Sequence, residues 1–492
     1  MTGKALMLQG TGSDVGKSVL TAALCRIAKR RGLSVAPFKP QNMSNNAMAC
    51  ADGGEIGRAQ ALQARAAGVE PNTDMNPVLL KPQSDRAAQV VLQGKALTTM
   101  EAMDYMAQRA SLMSAVMQSF SRLAETHDLV LVEGAGSPAE VNLRDRDIAN
   151  MGFARQANVP VCLIGDIDKG GVIASLVGTQ NVLSEKDAAM IKGFVVNKFR
   201  GEPRLFDDGV DFIESRTTWP CLGVIPWLRA SAKLPAEDAV VLERRPAPKT
   251  GQLKIVAPML SRIANFDDAD PLKLEPSVDF QWIAPGRPIP LDADLVILFG
   301  TKSTLGDLAF LKAQKWHHDI IAHANAGGHV LGICGGYQML GRTVHDPKGY
   351  DGLPGTADGL GLLDVETTMT NAKHVAQVLA ASVETGEPIT GYEIHTGKTS
   401  GPDTARPFSE VGDRPEGACS SDRRVQGTYL HGAFSDDAFR HAWLKRLGAH
   451  TSSKLNYEAE VETALDELAD GVEAALDIDA LFNLAATPNT SR

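Results

Sequence analysis

Gly10-Thr11-Gly12-Ser13-Asp14-Val15-Gly16-Lys17-Ser18 is the stretch on which the reading of this chain turns. The apolar run Ala5–Leu8 leads into it and a helical stretch, Val19–Lys29, leaves it, giving strand, glycine-rich loop and helix in that order. Glycines let the backbone curl until several N–H groups face one anion, and the helix N-terminus adds favourable partial charge. The pattern predicts an ATP phosphate site: Gly10, Thr11 and Gly16 shape the loop, Lys17 meets the terminal phosphates and the Ser18 hydroxyl ligates Mg²⁺. Five residues, not the usual four, separate Gly10 from Gly16.

Outward from the loop, further apolar runs recur at Leu129–Val132, Val161–Ile164 and Gly193–Val196. Each ends in Gly, Asp, Glu or Asn, as parallel strands do when they deliver polar groups to one edge of a buried sheet. Glu133 closes one of them beside Gly134 and Gly136 and suits a Mg²⁺ contact, because hard cations take carboxylate oxygen. Asn197-Lys198 closes another and suits a nucleobase contact. The run Gly165–Gly171 again places carboxylates and a lysine at a strand end.

Pro235–Gly251 turns proline-rich and charged, the composition of a linker. A second α/β series follows, with strands expected at Leu253–Ala257, Leu295–Phe299, Val330–Ile333 and Gly427–Leu430. The expected plan is two doubly wound α/β domains, 1–234 and 252–445, joined by 235–251. A helical, acidic tail over 446–492 ends in a Thr/Ser/Asn-rich segment expected to fray.

In the second series Val330–Ile333 runs into Cys334-Gly335-Gly336 and a helix start. That is a nucleophile elbow: the sharp turn exposes the sulfur, and the glycines avoid clashes at strained backbone angles. A free thiol is mostly protonated at neutral pH, so a base is required. His431, at the end of the run Gly427–Leu430, is the candidate; His317-His318-Asp319 reads as a solvated helix face.

Composition limits the partners. A chain of 492 residues exceeds one growing core. Its net charge of −10, with no long basic block, argues against nucleic acid or an anionic membrane. The six cysteines form no CxxC pair, which argues against a disulfide framework and a zinc site and favours a reducing, cytoplasmic setting. No apolar run reaches membrane-spanning length.

The loop spacing, Glu133 and Asn197-Lys198 resemble the dethiobiotin synthetase-like ATPases. Phe38–Asn46, Gly54–Gln60 and Met75–Pro82 are more specific, and with them the chain up to about residue 445 resembles the cobyric acid synthase family. The resemblance implies ATP and Mg²⁺, glutamine, and a corrinoid polycarboxylate as substrate. Adenosylcobyrinic acid a,c-diamide would be amidated four times, at carboxylates b, d, e and g. These three segments, rich in amides, Lys and Arg, are expected as ligand-facing loops. Lys39, Gln41, Asn42, Asn45, Arg58 and Lys81 would bind the corrinoid, the cations neutralising its carboxylates. The C-terminal motifs resemble triad-type glutamine amidotransferases, which makes Cys334 the nucleophile and His431 the base. The backbone N–H groups of Thr301 and Gly335 would form the oxyanion hole. Those enzymes usually carry a Glu two residues after the His, where this chain has Ala433, so the group that orients His431 is unidentified. Tyr392–His395 also matches the family, as glutamine-site or interdomain structure. A cobyrinic acid a,c-diamide synthase shares both domain types, and a partition-type P-loop switch shares the first.

Overall fold

In the computed structural model, residues 3–84, 87–101, 109–235, 253–449 and 454–490 are described. The linker expected over 235–251 falls outside them apart from Pro235. Each apolar run of the first series forms a strand of one six-stranded sheet. Its order is Cys221–Pro226, Ile191–Phe199, Val161–Asp166, Lys4–Gly10, Leu129–Glu133, Val35–Phe38, parallel throughout. Leu129–Glu133 and Val161–Asp166 are buried at every residue, which is why they read as unbroken apolar runs. The register sets Leu8 beside Glu133, so that carboxylate lands next to the loop that begins at Gly10. Helix α1 (Lys17–Arg30) starts directly after Gly16, whose φ of 98° is open to glycine.

The second series forms its own sheet, ordered Val278–Ile283, Leu253–Pro258, Leu295–Leu298, His329–Ile333, Val425–Thr428, all parallel, with Ala418–Cys419 antiparallel at the edge. The strand expected over Gly427–Leu430 is in fact divided. Val425–Thr428 ends in the parallel sheet, and Leu430–His431 crosses to another, pairing with Pro388–Ser400 of a long hairpin so that His431 faces Tyr392. Glu416 holds the break: its carboxylate accepts from the Tyr429 backbone N–H at 2.5 Å and the Thr428 hydroxyl at 2.8 Å.

The segments expected as ligand-facing loops are largely folded, and they form a seam between the halves. Gln41–Met43 and Val78–Pro82 pair within a four-stranded sheet, and Ala47–Ala49 pairs with Glu55–Gly57. Ala47, Ala49, Leu79 and Val91 share a core with Tyr392 and Ile394 of the second half. The amides are satisfied across the seam: the Asn265 N–H donates to Asn46 Oδ1 at 2.7 Å, and Asn265 Nδ2 donates to the Ala47 carbonyl at 2.9 Å. The polar residues expected to face a ligand are here the partners that buried backbone groups require.

The described residues beyond 446 are not a tail. Helix Tyr457–Ala475 lies along α1 and buries Val461, Leu465, Leu468 and Val472 in one core with Leu20, Leu24 and Ile27. Its acidic side pairs with α1 through Arg26–Glu462 at 2.5 Å, Arg30–Asp466 at 2.9 Å and Arg31–Glu473 at 2.9 Å. The segment expected to fray is docked as well: Ala486 bridges to Ala5, and the Asn489 N–H donates to the Ala157 carbonyl at 2.7 Å. An amphipathic helix must bury its apolar stripe, and the exposed back of α1 is the complementary surface. Leu468→Ala should therefore destabilise the N-terminal half by about 2–5 kcal/mol, read as a lowered midpoint in thermal unfolding. An unchanged midpoint would mean that the helix is peripheral.

Candidate active sites

At the first site, Lys17 Nζ donates to the Gly12 and Gly136 carbonyls at 2.9 and 3.1 Å, which folds its ammonium over the loop. The Ser18 hydroxyl donates to Glu133 Oε1 at 2.7 Å, so the two expected metal contacts stand together. Glu133 is fully buried and held from behind by Lys39 at 2.8 Å and by Gln63 at 2.6 Å. Thr11 fixes the loop to the sheet through its N–H on the Ile164 carbonyl. Asn197 meets the loop from the side: its Nδ2 donates to the Val15 carbonyl at 2.8 Å, and a Cβ on Gly16 would stand 2.3 Å from that nitrogen. In this arrangement Asn197 is a brace for the loop. Gly10 is equally constrained, because a Cβ there would lie 2.4 Å from Val15 Cγ2.

At the second site, Cys334 takes φ 53° and ψ −110°, a left-handed conformation that costs a non-glycine residue about 1–3 kcal/mol. The elbow's glycines are sterically required: a Cβ on Gly336 would stand 1.9 Å from the Leu298 carbonyl oxygen. At Gly335 a Cβ would stand 3.0 Å from the Thr301 backbone nitrogen, so the two expected oxyanion donors come together only because Gly335 has no side chain. Asp307 anchors the Thr301 loop, accepting from the Thr301 hydroxyl, from Ser261 and from the Arg262 N–H. The cleft at Cys334 holds about 520 Å³ of atom-free space counting its mouth. Thr301, Gly335, Gln338 and His431 line it from one half, Asn45 and Lys81 from the other.

His431 is buried and lines the cleft beside Cys334. The group that orients it is Asp268, whose Oδ2 lies 2.7 Å from His431 Nδ1 and whose Oδ1 accepts from the Gly432 N–H at 2.6 Å. This assigns the Nδ1 proton to the Asp268 side and leaves Nε2 for the sulfur. Burial alone would lower the imidazole's pKa, but the Asp268 charge and hydrogen bond overcome it and raise it to about 10. A cationic imidazolium is the neighbour that favours a thiolate. Tyr392 stacks on the ring with centroids 5.3 Å apart, and the Ile394 carbonyl accepts from Cys334 Sγ at 3.4 Å, so Tyr392–His395 is both site wall and seam.

Asp268 comes from the start of the second half, 163 residues before His431, and position-by-position comparison with Ala433 hides it. The available signal was Asn265-Phe266-Asp267-Asp268-Ala269-Asp270, three carboxylates in four residues, all of them buried. Buried acids need partners.

The residues expected to bind a corrinoid are not gathered in one place. Lys39 pairs with Glu133 at the phosphate loop, Arg58 with Asp267 at 2.9 Å on the seam, and Lys81 with Glu55 at 2.9 Å beside the cysteine cleft. Each cation already holds a carboxylate of the protein, because a buried charge without one is unaffordable. Asn42 donates to Gln60 Oε1 at 2.9 Å, Asn45 faces the cysteine cleft, and Gln41 stands on the seam strand Gln41–Met43.

Residues 6–241 match the CobQ/CobB/MinD/ParA nucleotide binding domain, and residues 254–439 match the CobB/CobQ-like glutamine amidotransferase domain. The chain is 63% identical to a cobyric acid synthase of Hyphomonas neptunium over 99% of both chains. It is also 63% identical to one of Paracoccus denitrificans, over 98% of this chain and 99% of that one. No described helix is long and apolar enough to cross a membrane.

Two outcomes follow from the His431 environment. Asp268→Asn should lower glutamine-driven turnover by about 10²-fold or more, as loss of a base's orienting partner does, measured as glutamate released. The folded pKa of His431 lies above the usual 6.5, so the pair's stabilisation is complete below about pH 6.5 and is lost as pH rises through about 10. The stability gap between wild type and Asp268→Asn should therefore narrow from pH 6.5 towards pH 10 in denaturant titrations.

Proposed function

The chain belongs to the cobyric acid synthase family, and on that premise we propose that it is an amide-forming ligase whose two sites share one reaction. The substrate is adenosylcobyrinic acid a,c-diamide, amidated at carboxylates b, d, e and g with ATP and glutamine to give adenosylcobyric acid. The observation that carries the proposal is the pairing of a built phosphate site, Lys17 with Ser18–Glu133, and a built Cys334–His431–Asp268 site within one docked structure.

A carboxylate resists ammonia because its charge repels nucleophiles and oxide is a poor leaving group. Transfer of the γ-phosphoryl group of ATP to the carboxylate gives an acyl phosphate, with Lys17 balancing charge on the moving group. Mg²⁺ fits the Ser18 hydroxyl and Glu133 carboxylate, hard oxygens 2.7 Å apart, and when bound supplies positive charge to the phosphates. Lys39 and Gln63 keep Glu133 aimed at the loop.

In the other half, Cys334 attacks the side-chain amide of glutamine. The Thr301 and Gly335 N–H groups meet the developing oxyanion, each such donor being worth about 10²–10³ in rate. His431 gives its proton to the departing ammonia and then takes one from the water that hydrolyses the thioester. Neutral ammonia is the nucleophile for the acyl phosphate, which favours a route through the seam away from water.

Cys334→Ala should abolish glutamine-driven amidation while ammonium still drives it, with products counted by mass spectrometry. Undiminished amidation from glutamine would remove Cys334 from its role, and, with cobyrinic acid offered as the corrinoid, amides formed only at a and c would reassign the substrate.

A further inference from the structure

We propose that Lys373 and Lys81, one from each half of the chain, clamp the α-carboxylate of glutamine, so that the glutamine site is complete only across the seam. The proposal rests on Cys334 as the glutaminase nucleophile. Glutamine bound with its amide carbon at Sγ and its carbonyl oxygen towards Thr301 and Gly335 must place its α-carboxylate elsewhere in the same cleft. Lys81 and Lys373 line that cleft together with Cys334, Thr301 and Gly335.

Three lysines line the cleft, and their charges are not equally answered. Lys302 has its own carboxylate, Asp351, at 3.0 Å. Lys81 and Lys373 share one: both bind Glu55, which is completely buried. Burial raises the Glu55 carboxyl, but the two lysines outweigh it and hold it down to about 2, so it stays ionised. Among the described residues the cluster therefore carries two cations on one anion, with Lys81 4% and Lys373 13% exposed. Buried charge in excess calls for a counter-ion, and the carboxylate that glutamine must bring supplies it. Glu55 in turn fixes the spacing of the two ammonium groups. Because Lys81 and Glu55 belong to the small seam structures of the first half and Lys373 to the long hairpin of the second, undocking would split the clamp.

The test compares glutamine with 4-aminobutanamide, which is glutamine without its α-carboxylate, by ammonia release from the full chain. Wild type should prefer glutamine, and Lys373→Met should shrink that preference by about 10–100-fold, the worth of a charge-assisted hydrogen bond, chiefly through KM for glutamine. Lys373→Arg, which keeps the cation, should hold most of the preference and so separates charge from folding. The clamp is overturned if Lys373→Met keeps the wild-type preference, or if Lys373→Arg loses as much as Lys373→Met. Cys334→Ala in the same assay reports on the underlying glutaminase reading: ammonia release that survives it would overturn both.

Discussion

The buried pair Asp268–His431 is the contact on which the glutaminase half depends. A catalytic cysteine needs a base of fixed tautomer, and the elbow supplies neither the acid nor the orientation. Both come from Asp268, in the short 3-10 helix Phe266–Ala269 near the start of that half, and Asp268 is in turn part of a packed acidic group. Asp267 beside it is buried, and desolvation raises its pKa to about 6 against the pull of Arg58. Arg58 cannot give up its proton, so it is the permanent cation at Asp267, while Asp268 has His431 and Asp270 has Lys273 at 2.7 Å. Arg58 begins helix α2 (Arg58–Ala67) in the first half, and the same helix sends Gln63 to Glu133 at the phosphate loop. The geometry that orients His431 is thus built from both halves.

That dependence accounts for several otherwise separate features. The seam is lined with amides because Asn46 and Asn265 must satisfy each other's backbones where two loops meet out of water. Its apolar patch is small, Ala47, Ala49, Leu79 and Val91 against Tyr392 and Ile394, and the same two residues form the wall of the cysteine site, one stacking on His431 and one accepting from Cys334. Cys334 is strained, and its φ of 53° persists because the nearby glycines leave the turn room that any other residue would fill.

Much of this was legible in the residues. The two parallel sheets followed from apolar runs with polar ends, the phosphate loop from glycine spacing and its flanking elements, and Cys334 with His431 from glycine-flanked strand ends. What failed to show shares one cause: it depends on contacts between distant segments. Asp268 reaches His431 across 163 residues. The C-terminal helix looked like a tail because its partner, α1, lies more than four hundred residues earlier. Lys39, Arg58 and Lys81 looked like one cationic patch because a sequence gives their charge and omits the carboxylates that already hold them. Local periodicity reports burial; it does not report which buried surface is met.

The protonation of His431 decides whether Asp268 holds the ring, and ¹⁵N-resolved NMR of the imidazole reads it in the intact protein. The structure predicts a cationic ring across the neutral range, with a downfield Nδ1 proton held by Asp268 and titration only as pH approaches about 10. A His431 that titrates near 6.5, with no such proton, would show that Asp268 does not hold it and would contradict the arrangement described.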